Sequence, residues 1–285
     1  MARPSGGRAA GFRVLVATDG SPAARAALDT TCVFPWPKST RMRVVVAAPP
    51  EWVGGHQESA RIALRTALER IARTALRQLR RQWPNADVIL TEQPATEGIV
   101  NAARRFKASL IVVGWRGHGA VRRLLMGSVS RGVVERATCP VLIVRRRLRR
   151  LRRVVIGLDG SSNAHRAVDF AARLGRVGRS SITVVRVVEP IALPTGVRLP
   201  NKELVRRARR DVDAAASRLR RSGWTARADV RTGEPLATLL DVVNLIGSDL
   251  LIVGARGARG LRRALLGSVA VGALNRSSTP VLVVR

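Results

Sequence analysis

Residues 114–145 read GWRGHGAVRRLLMGSVSRGVVERATCPVLIVR, and residues 254–285 read GARGARGLRRALLGSVAVGALNRSSTPVLVVR. The two stretches align without a gap at a spacing of 140 residues, and 16 of their 32 positions are identical. Such agreement over a gapless block exceeds what a shared composition produces. The chain is therefore predicted to contain two copies of one domain.

Each copy alternates short apolar runs with amphipathic segments. The apolar runs predict strands at 14–18, 43–48, 87–90, 110–113 and 141–144, and again at 154–158, 182–188, 228–231, 250–253 and 281–284. Helical spacing of apolar residues predicts helices at 21–31, 62–79, 96–106 and 129–136 of the first copy. Strands rich in Val, Ile and Leu are typical of a parallel sheet covered on both faces. The predicted fold class is α/β, with two tandem doubly wound sheets of five strands.

The predicted organisation has four parts. These are a flexible tail at 1–11, a first domain at 12–145, an arginine-rich linker at 146–152 and a second domain at 153–285. Seven extended residues span about 23 Å, so the two domains are expected to lie side by side. Two interpretations of the linker stay open: a solvated connector, or a contact site for nucleic acid or an anionic membrane.

The chain is strongly basic, with 51 Lys and Arg against 19 Asp and Glu and a net charge of +32. Such an excess points to nucleic acid or another acidic surface. The basic residues are nearly all Arg, however, which coding in a G+C-rich genome also produces, so both explanations stay open. Cys32 and Cys139 lack any metal-binding spacing, which suits a cytosolic protein without a dedicated metal site. No membrane-spanning segment is expected, because no apolar run approaches about 18 residues.

A glycine motif follows the fourth predicted strand of both copies. It consists of Gly114, Gly117, Gly127 and Ser128 in the first copy, and of Gly254, Gly257, Gly267 and Ser268 in the second. The final Gly-Ser stands where a helix is predicted to begin, so backbone N–H groups and a hydroxyl converge on a positive helix end. That arrangement predicts phosphate or nucleotide binding, and the alternative is a turn with a serine N-cap. Arg116 and Arg256 recur inside the motif, either to reach phosphate or as solvated loop residues.

Asp19 and Asp159 each end the first strand of a copy, in the sequence Asp-Gly-Ser. In an open α/β sheet, ligands bind beyond the carboxyl ends of the strands where the strand order reverses. If the first and fourth strands are neighbours, each aspartate faces the glycine motif. Such a carboxylate could accept from a ribose hydroxyl, hold a metal through water, or cap the following helix.

The two motifs together resemble the nucleotide-binding, tandem-domain type of universal stress protein, whose loop is written Gly-x2-Gly-x9-Gly-(Ser/Thr). The resemblance covers nearly all of residues 12–285. It implies a Rossmann-like sheet of order 3-2-1-4-5 in each domain, and dimerisation through the last strand. It also implies a cytosolic stress-response regulator that senses or sequesters ATP, with Mg²⁺ as a candidate companion of the nucleotide.

The resemblance further assigns the site residues by motif. The two glycine motifs would cradle phosphates and ribose, and the two aspartates would lie beside the nucleoside. Ala47 and Val187, near the ends of the second strands, would contact adenine through their backbones. Ala17 and Gly157 stand two residues before the aspartates, and the Cβ of Ala17 is expected to narrow the first site.

Several enzyme classes are disfavoured. The chain has no Walker A sequence, and no G-x-G-x-x-G follows the first strand. His118 in the first loop corresponds to Ala258 in the second, which excludes a catalytic histidine shared by both. The alternatives kept are a slow ATPase or nucleotidyl-transfer enzyme and a nucleic-acid-associated protein.

The last strands, at 141–144 and 281–284, are apolar and expected at sheet edges. An exposed apolar edge promotes aggregation unless it is paired or covered. These strands are therefore expected to pair with each other in a pseudo-twofold arrangement, or with a second chain.

Overall fold

In the computed structural model, the described residues are 11–47, 58–117, 126–174, 180–192, 198–199, 201–257 and 266–285. The tail expected at 1–11 lies outside them, apart from Gly11. His118 of the first glycine loop and Ala258 of the second also lie outside them.

Strands and helices alternate in both copies. The first contains β1 (Arg13–Thr18), α1 (Pro22–Val33), β2 (Arg41–Ala47), α2 (Glu58–Arg80), β3 (Asp87–Thr91), α3 (Ala95–Phe106), β4 (Leu110–Gly114), α4 (Ser128–Arg136) and β5 (Val141–Val144). The second contains β6 (Arg153–Gly157), α5 (Ser162–Leu174), β7 (Ser181–Val188), β8 (Ile191–Ala192), β9 (Arg198–Leu199), α6 (Lys202–Arg221), β10 (Thr225–Thr232), α7 (Pro235–Leu245), β11 (Leu250–Gly254), α8 (Ser268–Arg276) and β12 (Val281–Val284). The short antiparallel hairpin β8–β9 has no counterpart among the predicted elements.

The α/β class and the strand order 3-2-1-4-5 are confirmed in each copy. Neighbouring strands run β3-β2-β1-β4-β5 in the first and β10-β7-β6-β11-β12 in the second, and all pairs within these two series are parallel. The two sheets are not separate, however. β5 and β12 pair antiparallel, with Leu142 opposite Leu282, so the chain forms one ten-stranded sheet. Each apolar edge is thereby covered by the other.

Two apolar layers cover the sheet, because successive strand residues point to opposite faces. One layer holds α1, α2, α5 and α6, with side chains such as Leu28, Leu79, Phe170 and Leu219 in its core. The other holds α3, α4, α7 and α8. The carboxyl ends of β1 and β4, and likewise of β6 and β11, lie side by side, because these strands are parallel neighbours.

The linker packs against the protein, and the solvated-connector interpretation is wrong for its leucines. Leu148 and Leu151 are 5% and 6% exposed and lie in the core layer of α1 and α5, whereas the flanking arginines point outward. The backbone N–H of Leu148 donates to Thr30 Oγ1 at 3.0 Å. The backbone N–H groups of Arg152 and Arg153 donate to Asp249 Oδ2 at 2.8 and 2.9 Å. A period of three residues therefore puts leucines inside and arginines outside.

Candidate functional site

The first and fourth strands of each copy are neighbours, so the aspartate and the glycine motif meet at the same end of the sheet. The proximity is visible at the second motif glycine. A Cβ built on Gly117 would lie 2.5 Å from Asp19 Oδ2, and one on Gly257 would lie 2.7 Å from Asp159 Oδ2. Both copies therefore hold a carboxylate directly against the backbone of the second motif glycine, where any larger side chain would displace it.

A tight turn orients each carboxylate. Asp19 Oδ1 accepts from the N–H of Ser21 at 2.9 Å, and Asp159 Oδ1 accepts from Ser161 at the same distance. The glycine between them has a φ of +81° in the first copy and +82° in the second, which favours glycine there. One carboxylate oxygen is thus committed to the turn, and the other faces the glycine motif.

The serine of Asp-Gly-Ser, rather than the aspartate, caps the following helix. Ser21 Oγ accepts from the N–H of Ala24, and Ser161 Oγ accepts from Ala164, both at 3.2 Å. The capping role considered for Asp19 and Asp159 is therefore corrected.

The same serines also hold the glycine loops, a role that sequence reasoning missed. Ser21 Oγ donates to the carbonyl of Arg116 at 3.4 Å, and Ser161 Oγ donates to that of Arg256 at 3.0 Å. The recurrence of Asp-Gly-Ser in both copies was the available signal. The turn after the first strand thus fixes the loop after the fourth.

Each glycine loop is closed at its base by a backbone hydrogen bond. The N–H of Gly127 donates to the carbonyl of Trp115 at 3.0 Å, and the N–H of Gly267 donates to that of Ala255 at 2.8 Å. A Cβ on Gly127 would lie 3.3 Å from Arg116 Cα. The first, second and third glycines of each motif are therefore brought together, although the span between the second and third lies outside the described residues.

The helices after the loops begin one residue earlier than the serine-cap interpretation requires, and that interpretation is wrong. Gly127 is the N-cap of α4 and Gly267 that of α8, and neither helix has a side-chain capping hydrogen bond. Ser128 and Ser268 are the first helical residues and are exposed. The first N–H groups of these helices thus point outward beside an exposed hydroxyl, at the positive end of the helix dipole.

The remaining residues assigned by the resemblance lie at the ends of β1, β2, β6 and β7. Ala17 is 3% exposed, in the layer of α3 and α4, and a Cβ on Gly157 would come within 3.1 Å of a Leu239 methyl. The core therefore occupies this position in both copies, and Gly157 does not leave a larger opening. Ala47 is buried and Val187 is half-buried.

The two crevices differ at one position that sequence reasoning missed. Arg186 of β7 pairs with Asp211 of α6, and its guanidinium lies 3.3 Å from a Cβ built on Gly160. Burial lowers the pKa of Arg186, and the nearby Asp159 carboxylate opposes that shift. At the spacing of 140 residues its counterpart is the fully buried Val46. At this position, the second crevice therefore carries a cation where the first has an apolar side chain.

The loop arginines are not solvated. Arg116 and Arg256 are both half-buried, and the Arg116 guanidinium lies 4.1 Å from the centre of the Trp115 ring. Arg145 lies on the same ring at 3.9 Å. Burial, and then the charge of Arg116, lower the pKa of Arg145.

Trp115 and Arg145 also connect the first glycine loop to the second domain. Trp115 Nε1 donates to the carbonyl of Leu274 at 3.0 Å, and Arg145 Nη1 donates to those of Asn275 and Ser277 at 2.9 and 3.1 Å. These carbonyls belong to the carboxyl end of α8, where a cation interacts favourably with the helix dipole.

The contact is reciprocal. Arg285, which corresponds to Arg145, donates through Nη2 to the carbonyls of Val134 and Glu135 at 2.6 and 2.5 Å, at the carboxyl end of α4. Burial, and then the charge of Arg256, lower the pKa of Arg285. The arginine that follows the last strand of each domain therefore bonds to the carboxyl end of the helix after the other domain's glycine loop, and Arg145 also stacks on Trp115 of its own loop.

We expect Trp115→Ala to lower the free energy of unfolding by about 3–5 kcal/mol, as is usual for a buried Trp. The side chain is 7% exposed and loses both its ring contacts and its donor. Trp115→Phe keeps an aromatic ring but loses the hydrogen bond, so it should cost only about 1 kcal/mol. Denaturant unfolding of both variants measures this, and equal or negligible losses would contradict the described packing.

The two cysteines are poor nucleophiles. Burial raises the pKa of Cys139 to about 11 and also raises that of Cys32, so both are thiols at neutral pH. Within the part of the chain that the structure describes, no three His, Cys, Asp or Glu side chains are arranged to hold a metal ion. None of the described helices is long and apolar enough to cross a membrane.

The fold and site define a class: tandem doubly wound α/β proteins with a glycine loop after the fourth strand of each copy. The pattern of the Universal stress protein family matches residues 12–145 and 150–285. The chain belongs to the universal stress protein family.

Individual relatives agree with this assignment. A universal stress protein of Thermus aquaticus is 36% identical over 135 residues, which is 46% of this chain and 97% of that protein. One of Mycobacterium bovis is 29% identical over 203 residues, 66% of this chain but only 61% of the relative's length. Among solved structures, a universal stress protein from Archaeoglobus fulgidus matches with a TM-score of 0.75 at 19% identity, over 96% of this chain and 98% of that one. That likeness shows the fold.

Proposed function

We propose that this protein is a cytosolic ATP-binding regulator of a stress response, with one nucleotide site in each of the domains at 12–145 and 153–285. The observation that supports it is the repetition of one crevice. In both copies a carboxylate oxygen faces the second motif glycine, and a helix without a side-chain cap begins beside it. Both copies keep this geometry although only 16 of the 32 positions in residues 114–145 and 254–285 are identical.

The residues present fit a nucleotide. The N–H groups at the starts of α4 and α8, with the hydroxyls of Ser128 and Ser268, would hold the phosphates. The carboxylate oxygens of Asp19 and Asp159 that face the glycine motifs would accept from ribose hydroxyls or meet Mg²⁺ carried by the phosphates. The backbones of Ala47 and Val187 would contact the base.

Sequestration or sensing is favoured over rapid turnover. The described part of each crevice holds a carboxylate and arginines, and both cysteines are kept as thiols. We therefore propose slow ATP hydrolysis at most.

We also propose that pairing of the two domains within one chain replaces a homodimer through the last strands. β5 lies between β4 and β12, and β12 lies between β11 and β5, so neither has a free edge. A homodimer through these strands would have to separate them first.

The proposal predicts two ATP molecules bound per chain. Calorimetry on ligand-stripped protein measures the stoichiometry, and mass spectrometry of ligand released from freshly purified protein identifies the natural occupant. A stripped protein that binds no ATP would refute the proposal, and several turnovers per minute would favour the enzyme alternative instead.

A further inference from the structure

A groove of about 500 Å³ lies over α5 and α6 of the second domain. Its charged lining consists of Arg166, Arg173, Arg218, Arg285 and Asp169, with three smaller apolar residues between them. None of these residues belongs to a glycine motif or to an Asp-Gly-Ser turn. The volume lies within the range of about 300–1,000 Å³ that is typical of small-molecule sites.

The positive charge of the groove is largely uncompensated. Arg218 pairs with Asp169 at 2.9 Å, which occupies the one carboxylate side chain of the lining. Arg166 donates to the amide oxygen of Asn163, and Arg173 lies 5.8 Å from the centre of the Phe170 ring. Both of those partners are neutral. Among the described residues, no carboxylate pairs with Arg166 or Arg173.

Arg285 lines the groove but does not direct its guanidinium into it. Its side chain lies on the opposite face of the sheet, with those of Val281 and Val283, and its Nη2 donates to the α4 carbonyls there. The charge available to a ligand in the groove therefore comes from Arg166, Arg173 and Arg218.

The duplication supplies an internal comparison. At the spacing of 140 residues, Arg166, Arg173 and Arg218 correspond to Ala26, Val33 and Gln78. The framework is otherwise kept, since Asp29 corresponds to Asp169 and accepts from Gln78 as Asp169 does from Arg218. Three arginines therefore distinguish this groove from the same place in the first copy.

The surroundings are positive as well. The four helices on this face of the sheet, α1, α2, α5 and α6, contain 17 Lys and Arg against seven Asp and Glu. The four on the other face contain five against three. The outward-pointing arginines of the linker lie on the basic face. An anion therefore approaches the groove through a favourable field.

We propose that this groove is a second kind of anion site, which binds the phosphate groups of a ligand distinct from the nucleotides of the glycine loops. Guanidinium groups match phosphate geometry through paired hydrogen bonds, and arginine is the side chain best suited to that recognition. The phosphates belong either to a small polyphosphorylated molecule or to a nucleic-acid backbone that continues across the basic face.

The test compares Arg166→Gln/Arg173→Gln with Arg104→Gln/Arg105→Gln in the full chain. The control pair is exposed on α3, on the opposite face of the sheet, carries no ion pair among the described residues, and removes the same charge. The probes are inorganic tripolyphosphate, followed by calorimetry, and a short duplex DNA, followed by fluorescence anisotropy at two salt concentrations. The glycine loops are unchanged in both variants, so any probe that they bind is common to both.

We expect the groove variant to lose about tenfold or more in affinity for the relevant probe, with less than about twofold loss in the control. Selective loss of a tripolyphosphate site identifies a small ligand, and selective loss of duplex binding identifies a nucleic-acid backbone. Equal losses in the two variants, or no binding of either probe by the unmodified chain, would overturn the proposal. Failure of ATP to bind at the glycine loops would leave this comparison unaffected.

Discussion

Replacing Gly127 by Val is expected to reduce the ATP bound per chain from two molecules to one. Gly127 is the N-cap of α4 with a φ of −63° and a ψ of 149°, so Val can adopt its backbone conformation. The substitution therefore acts through space and not through lost backbone freedom. A Cβ would lie 3.3 Å from Arg116 Cα and 3.4 Å from the carbonyl oxygen of Trp115. The two further methyls of Val would add bulk at the start of α4, where the proposal places the phosphates.

Losing one charge-assisted phosphate contact is worth about 1.5–3 kcal/mol, roughly ten- to a hundredfold in affinity, and steric exclusion adds to it. Gly267→Val should remove the other site in the same way, because its Cβ would lie 3.2 Å from the backbone nitrogen of Gly257. Each single variant is the control for the other, since the site in its unchanged domain should bind ATP with the affinity of the unmodified chain. The double variant should remain folded by circular dichroism and bind no ATP. If it binds two molecules with the affinity of the unmodified chain, the loops are not the nucleotide sites.

The repeat, the element order and the parallel sheets were predictable from sequence for a physical reason. Strands buried on both faces are nearly continuous runs of Val, Ile and Leu, which few other structures produce. The strand order came from the family resemblance and not from the runs themselves. The predicted strand ends differ from the observed ones by a few residues, and the largest difference is at β10, which spans Thr225–Thr232. This edge strand alternates polar and apolar residues, so its ends carry no continuous apolar run.

Contacts between the domains were not predictable, because they join residues far apart in the chain. The pairing of β5 with β12 was one of two arrangements that an apolar edge permits. The hydrogen bond from Trp115 to Leu274 spans 159 residues and leaves no local pattern. Leu148 and Leu151 stand three residues apart, a spacing that places both on one side of the linker. The many arginines around them favoured a solvated linker instead.

At the site, sequence identified the residues that meet but misassigned two local roles. Gly and Ser are both acceptable N-caps, so Gly127-Ser128 left the start of the helix uncertain by one residue. Asp19 and Ser21 are likewise both good caps, and only the geometry shows that the serine caps while the aspartate makes the turn. The direction of the other carboxylate oxygen follows from which oxygen accepts the hydrogen bond of the turn, and the sequence does not give that.

The first glycine of each motif has a packing reason that is separate from any ligand. A Cβ on Gly114 would lie 2.6 Å from the carbonyl carbon of Ala23 and 2.8 Å from the nitrogen of Ala24, where α1 begins against the end of β4. A Cβ on Gly254 would lie 2.8 Å from the nitrogen of Ala164. These are backbone atoms within a helix, so no side-chain rotation relieves the contact, and the helix itself has to move.

We therefore expect Gly114→Ala to lower the free energy of unfolding by about 3 kcal/mol, at the upper end of the usual cost of overpacking. Gly157→Ala is the matched control, because its new methyl would meet side-chain methyls and no backbone atom, with Leu239 at 3.1 Å and Val253 at 3.5 Å. Ala17 already occupies the corresponding position in the first copy. That control should cost less than about 1 kcal/mol. Denaturant unfolding without nucleotide separates a packing role from a ligand-binding role. Gly127→Val should lose ATP affinity with little change in the free energy of unfolding, whereas Gly114→Ala should lower the free energy of unfolding. It should also weaken ATP binding, because a displaced α1 carries Asp19 away from Gly117. Equal costs for Gly114→Ala and Gly157→Ala would rule out the packing role.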